Sequence, residues 1–163
     1  MKTGYRIGIL LVCSAFVACN GTEPNEEIST NIQPKPAAEK VIEAPASVRI
    51  TKDNKGVGEI KELQLNPTID LAMVDRGAAL FKTNCTACHK TDKRFIGPNP
   101  TDILERRSPE WIMNMILNPK LMTEEDQCAK DLLVEFNGAA MANQNMTVEQ
   151  AREILEYFRT LKS

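Results

Sequence analysis

The stretch Phe81-Lys82-Thr83-Asn84-Cys85-Thr86-Ala87-Cys88-His89-Lys90, FKTNCTACHK, decides how the rest of the chain is read. Two cysteines bracket two small residues, and a histidine follows at once. His89 is the only histidine among 163 residues. That excludes His-rich metal clusters and any nucleophilic triad built on an imidazole elsewhere. Three chemistries use such a pattern. A redox dithiol places Cys-X-X-Cys at a helix start within a strand–helix–strand context, and no such alternation surrounds this one. Structural zinc needs four ligands. Cys85, Cys88 and His89 are three, the adjacency of Cys88 and His89 makes a tetrahedral shell awkward, and Cys128 reads as helix surface and flank. Covalent haem attachment uses Cys-X-X-Cys-His itself. Two thiols add across the two vinyl groups of one porphyrin edge, and the two-residue gap lets both sulfurs reach that edge from the start of a helix. The next side chain then projects beneath the ring, where its imidazole can bind iron. The pattern favours one covalent haem c, with Cys85 and Cys88 as thioether linkers and His89 as the proximal iron ligand.

The N-terminus reads as a targeting segment. Lys2 and Arg6 precede an apolar run from Ile7 to Ala18. That run, about a dozen residues, is too short to span a bilayer comfortably and fits a secretory signal. It ends Phe16-Val17-Ala18-Cys19, which resembles a bacterial lipoprotein signal, in which a small residue precedes the cysteine that is lipidated. Phe16 stands where leucine is usual. The expectation is a signal peptide over residues 1–18, lipidation at Cys19, and attachment to a membrane in the bacterial periplasm, with Asn20 favouring the outer membrane. Cys13 is then discarded, which leaves Cys85, Cys88 and Cys128. An odd count in an oxidising compartment does not read as a disulfide framework. The net charge of -2 gives no electrostatic case for nucleic-acid binding.

Residues 19–47 are polar, acidic and proline-containing, with too little apolar surface to offset the entropy of ordering them. They read as a flexible tether; residues 20–47 would span on the order of 30 Å. Residues 48–69 alternate Val48 and Ile50, turn at Asp53-Asn54-Lys55-Gly56, and continue through Val57 and Ile60. This predicts an extended strap or a β-hairpin. From Asp70 onward the spacing is helical. Leu71, Val74, Ala78 and Phe81 share one face. Ser108 and Pro109 form a cap and first helical position ahead of Trp111, Ile112, Met115 and Ile116. Thr123-Glu124-Glu125-Asp126 predicts a helix start with acids in its first turn. Thr147 and Gln150 make a capping box for a last helix carrying Ile154, Tyr157, Phe158 and Leu161. The expected domain, residues 70–163, is mainly α. Aromatic residues are 5% of the chain, so so small a domain needs something to fill its core.

From Asp70 to the end the chain resembles the class I cytochrome c family, a fold of about four to five helices around one haem. Gly77, Phe81 and Cys85 follow its G-x-x-x-F-x-x-x-C spacing. In that family the glycine lets the first and last helices cross closely; the partner positions here look like Ile154 and Tyr157. Ile96-Gly97-Pro98 resembles the loop whose proline carbonyl accepts the N–H of the proximal histidine. Residues 136–158, FNGAAMANQNMTVEQAREILEYF, resemble the family's M-P-x-x-x-L-T-x-x-E/Q pattern. The resemblance makes Met141 the distal iron ligand, with Met146 and Thr147 in the Leu-Thr places and Ala142 replacing the usual proline. Met113 and Met115 read as packing, Met122 as a turn residue, and Met146 as a staple before the cap.

A haem with both axial positions filled has no open site for substrate and can still pass electrons through its exposed edge. The implied function is a membrane-tethered, monomeric, monohaem electron carrier and not an enzyme. Its donor would be a quinol-oxidising complex or another cytochrome, and its acceptor a terminal reductase or oxidase. The segment KGVGEIKELQL and the loop GAAMANQNMT resemble cytochromes found alongside nitrous-oxide reductases. The alternative is a haem-based gas sensor or small haem enzyme with an open distal site. Lys90, Lys93, Arg94, Arg106 and Arg107 are either a basic docking face or solvated surface. Cys128 reads as a small, partly buried apolar residue.

Overall fold

Asp70 starts the first helix: its carboxylate accepts the N–H of Met73 at 3.1 Å, one of the donors a helix start leaves without an internal partner. The computed structural model describes residues 44–163, which fall within one unit, residues 41–163. The expected signal peptide 1–18, Cys19 and most of the expected tether lie outside the described residues. Among the described residues there are six helices, more than the four to five expected, and no named strand. They are α1 (Leu71–Asn84), α2 (Ile103–Arg106), α3 (Pro109–Leu117), α4 (Pro119–Glu125), α5 (Gln127–Glu135) and α6 (Val148–Thr160).

The α1–α6 crossing organises the domain. At Gly77 a Cβ would collide with the backbone carbonyl of Glu153 and stand 3.0 Å from the nitrogen of Ile154. Only a residue without a side chain lets two backbones approach so closely. The contact falls at Glu153–Ile154, one residue before the expected pair Ile154 and Tyr157; Tyr157 instead meets Phe81, ring centroids 5.6 Å apart. Phe158 stands edge-on to Phe81 at the same separation. Of the predicted α1 face, Phe81 is buried and Leu71 is 72% exposed. The α6 capping box forms as expected: the Thr147 hydroxyl accepts the Gln150 N–H, and the Gln150 side chain accepts the Thr147 N–H.

Ser108 caps α3 and Pro109 fills its first turn. The next boundaries differ from expectation. Asn118 caps α4, so Thr123-Glu124-Glu125 closes that helix and does not open one. Asp126 then caps α5, accepting from Ala129 N at 2.8 Å. Prolines at 109 and 119 each suit a helix start, and the second falls earlier than the acidic cluster suggested. Met122, expected in a turn, lies inside α4 and is fully buried.

Residues 44–69 form no hairpin among the described residues. Val48 and Ile50, whose alternation suggested a strand, are 58% and 69% exposed. Instead the segment runs extended over α3, α4 and α5, and buried polar side chains satisfy its backbone. Asn114, 1% exposed, accepts from Ile60 N and donates to the carbonyls of Lys55 and Ile60. Glu110 accepts from Leu63 N, and the Met122 sulfur accepts from Val57 N. Asp126 takes Asn54 Nδ2 at 2.7 Å and the Trp111 indole N–H at 2.9 Å. Buried backbone polar groups must find partners; here they find helix side chains and so need no second strand. The expected tether boundary also moves. Ala46 is 5% exposed and Ser47 bonds to Glu135, so residues 44–47 belong to the packed part and not to the 19–47 linker.

Candidate functional site

Cys85 closes α1, its N–H bonding to Phe81 O at 2.9 Å. The Cys85 carbonyl then accepts from both Cys88 N, at 3.0 Å, and His89 N, at 2.9 Å. The Cys-X-X-Cys-His segment is therefore one tight turn at the end of a helix, not at a helix start as expected. This geometry puts both thiols and the imidazole on the lining of one cleft. The cleft holds about 1100 Å³ of space free of atoms, part of it open to solvent. Its lining is mostly apolar, from Phe81, Ile103, Trp111, Ile112, Leu132 and Phe136.

The histidine is fixed from behind. His89 Nδ1 lies 2.8 Å from the carbonyl oxygen of Pro98. A carbonyl only accepts, so Nδ1 carries the hydrogen, and in the neutral ring Nε2 holds the free lone pair. Gly97 packs against the ring: a Cβ there would stand 2.5 Å from His89 Cε1. Gly97 N–H bonds back to Cys88 O at 2.8 Å. The loop is then tied from outside by Arg106, whose guanidinium donates to the carbonyls of Thr101 at 2.9 Å and Asn99 at 3.1 Å. The Thr101 hydroxyl donates to Thr91 O at 2.6 Å.

Burial, with a smaller contribution from the charge of the Cys88 thiolate, pushes the Cys85 thiol up to about 11. An attacking thiol of a redox pair needs the opposite shift, so the environment does not suit a dithiol. Cys128 lies in α5, buried, with the Thr51 hydroxyl 3.9 Å from its sulfur. No group of three or more His, Cys, Asp or Glu side chains forms a metal cluster among the described residues, so the cysteines and His89 do not assemble a zinc shell.

Met141 lines the same cleft with Ala139 and Ala140. Its loop leaves α5 through a turn in which Gly138 N bonds to Leu133 O at 2.7 Å and Asn137 N to Val134 O at 3.1 Å, with Asn137 at φ 56°. That is a Schellman ending, with asparagine in the left-handed position that glycine usually fills. Met146 does not line the cleft and packs against the core instead. Trp111, Ile112, Met115 and Ile116 of α3, with Leu132, Leu133 and Phe136 at the end of α5, complete an apolar wall.

Two arginines expected at the surface are not there. Arg107 is 3% exposed, lies over the Trp111 ring at 5.2 Å, and donates to the carbonyls of Ala46 and Arg49. Its Nε is buried without a partner at the cleft wall. Arg106 is half-buried and engaged as described. Of the five candidate docking residues, Lys93 is the most exposed, while Arg94 pairs with Glu135. No simple sequence signal marks Arg107 as buried; adjacent arginines usually read as solvated.

A wall that offers two thiols, an imidazole with a free Nε2, a thioether and a buried guanidinium whose Nε alone lacks a partner suits a large, flat, apolar iron macrocycle with anionic edges. The chemistry of the donor set and the orphaned Arg107 Nε both fit haem. The family model for cytochrome c matches residues 74–162. A cytochrome c from Rhodothermus marinus is 44% identical; the match covers 64% of this chain and 89% of that one, with a TM-score of 0.62. An engineered form of the Rhodothermus marinus protein, bound to a carbene intermediate, is 43% identical over 64% of this chain and 89% of that one, with a TM-score of 0.59. No curated protein matches the sequence.

Proposed function

Because this chain belongs to the cytochrome c family, whose members carry one covalently attached haem c and transfer electrons, we propose that it is a periplasmic, membrane-tethered single-electron carrier. When bound, the haem supplies an iron that changes oxidation state by one electron. Cys85 and Cys88 hold it through thioether bonds. His89 would present Nε2 as the proximal ligand, and Pro98 fixes the tautomer and orientation of the ring through Nδ1. Gly97 leaves room for that ring. Met141 would supply the distal thioether, a soft donor that favours the ferrous state and raises the potential relative to a second imidazole. With haem bound, the Arg107 Nε would be free to donate to a carboxylate of the macrocycle, and the apolar side chains of α3 and α5 would exclude water.

The observation that carries this reading is the His89–Pro98 bond, which leaves Nε2 as the free donor on a cleft that two thiols also line. The test is denaturing mass spectrometry with an absorption spectrum of the exported protein. We expect one haem's added mass that survives acid extraction and is lost in Cys85→Ser/Cys88→Ser. A folded chain of bare polypeptide mass would overturn the proposal. Carbon monoxide should leave the spectrum of a fully ligated protein nearly unchanged; rapid, complete binding would favour the sensor or enzyme alternative.

Tethering rests on the sequence around Cys19. No helix among the described residues is long and apolar enough to cross a membrane. If Cys19 carries lipid, Cys19→Ser should release haem-loaded protein into the soluble periplasmic fraction, since a lipid anchor with two or more chains holds firmly and one is marginal. The donor is then a quinol-oxidising complex or cytochrome and the acceptor a terminal reductase or oxidase, each met by a domain confined near the membrane.

A further inference from the structure

Three segments far apart in sequence meet at Glu135, the last residue of α5 and six residues before Met141. Its carboxylate accepts the Ser47 N–H at 2.8 Å on one oxygen and the Ser47 hydroxyl at 2.5 Å on the other. Arg94, five residues after His89, donates to that second oxygen at 3.1 Å and to the Glu135 backbone carbonyl at 2.7 Å. The carbonyl is one that a helix end leaves without an internal partner. The same guanidinium lies 4.0 Å from the centre of the Phe136 ring, which is buried and lines the cleft. Glu135 is only 14% exposed, so these charge-assisted bonds are less screened than an ordinary surface pair.

Beyond this point no long-range hydrogen bond among the described residues holds the chain before the α6 cap. The hydrogen bonds of residues 139–146, among the described residues, stay local: Ala139 N to Phe136 O, Gln144 Nε2 to Ala142 O, and Asn145 N to Asn143 Oδ1. Glu135 is thus the last long-range hydrogen-bonded anchor before the loop that carries Met141. We propose that Glu135 is a positioning residue for the distal ligand: clasped by Arg94 and Ser47, it references the Met141 loop to the His89 side of the cleft and to the start of the packed N-terminal segment. The inference rests on the reading of Met141 as iron ligand. It also means that the junction where the tether enters the domain bears on distal ligation. Loosening the clasp lets the loop open, so that an added ligand displaces the thioether more easily.

The test uses the full-length, haem-loaded protein in the ferric state, with imidazole as the added ligand and the weak far-red thioether–iron band as the second readout. Glu135→Ala removes a multiply used charged acceptor and should tighten imidazole binding by about tenfold, and Ser47→Ala by about threefold. Arg76→Ala breaks the α1–α6 ion pair with Glu153, 2.5 Å long, and touches neither loop; its affinity should stay within about twofold of the parent. Should Glu135→Ala not yield folded protein, Glu135→Gln keeps one acceptor oxygen and should still give a gain of about threefold. An unchanged affinity in the Glu135 variant that folds, with the band intact, overturns the positioning role while leaving Met141 as ligand. A gain no larger than that of Arg76→Ala also overturns it, because that is what general destabilisation produces. Absence of the band in the parent protein overturns the Met141 reading and this inference with it.

Discussion

The two loops that bear the candidate axial ligands are built differently. Residues 89–101, on the histidine side, are tied down along their length. Nδ1 bonds to Pro98, Gly97 to Cys88, Thr101 to Thr91, and Arg106 spans two carbonyls from outside. Residues 136–147, on the methionine side, are fixed at their two ends, by the Schellman turn and by the Thr147 capping box. Between those ends their hydrogen bonds among the described residues are local. If both side chains ligate iron as proposed, a fixed imidazole would set the haem in place and a more loosely held thioether would tune it. Structures tend to loosen where few long-range contacts hold the chain.

The sharpest way to break this comparison is to disturb both sides by the same change. Gly97→Ala forces a methyl group onto the imidazole, and neither the ring nor its Pro98 bond can give easily. Overpacking of this kind should cost about 1–3 kcal/mol and should perturb the ligand spectrum as well. Gly138→Ala meets no atom within 4 Å and is strained only by its φ of +77°, a cost of about 1 kcal/mol. Thermal melts of the two haem-loaded variants should rank in that order. Equal losses would mean that the methionine side is as rigid as the histidine side.

Met141→Ala sharpens the contrast. It should abolish the far-red band and lower the potential while moving the melt by less than Gly97→Ala, because Met141 is only half-buried and borders the cleft. If Met146→Ala removes the band and Met141→Ala leaves it, the ligand is Met146.

Acid tests whether the two sides share one foundation. Burial pushes the Glu156 carboxyl up, but the Asp70 N–H and the Arg152 and Arg159 guanidinium groups outweigh it and hold it below its ordinary value. A carboxylate depressed in the folded state contributes stability that is complete above its unfolded pKa, near 4.3, and is lost as pH falls through the lower folded value. Since Glu156 joins α6 to the start of α1, helicity and the haem signals should fail together below about pH 4. Glu156→Gln should flatten that dependence. A far-red band lost at a clearly higher pH than helicity would show the methionine loop opening by itself.

The smallest effect belongs to the surface. Arg94 is engaged with Glu135, and Arg106 and Arg107 are turned to structural use, so a charge reversal at any of them mixes docking with folding. Lys93 is the cleaner probe, at 64% side-chain exposure with only a 4.0 Å contact to Asp92. Lys93→Glu should slow electron transfer to an acidic partner a few-fold at low salt, with spectrum and potential unchanged, and salt should erase the difference as screening shortens to ~8 Å. A rate indifferent to both would leave Lys93 as solvated surface.

The sequence by itself determined the family, the covalent haem and the mainly helical fold, because each is written in short-range spacing. Cys-X-X-Cys-His, the caps at Ser108 and Thr147, and Gly77 eight residues before Cys85 need only neighbours within a few turns to be legible. The structure alone decided how the first described residues are held. Asn114, Glu110 and Arg107 sit in or beside apolar helical stretches, where periodicity assigns them no role, and only their burial shows that they serve the backbone of residues 44–69, while Asp126 holds the Asn54 side chain. The same holds for Glu135, an ordinary helix-end carboxylate until Ser47 and Arg94 are brought to it from 88 and 41 residues away. Hydrogen bonds between distant segments leave no period in a sequence. Which polar groups desolvation forces together is settled when the chain is packed.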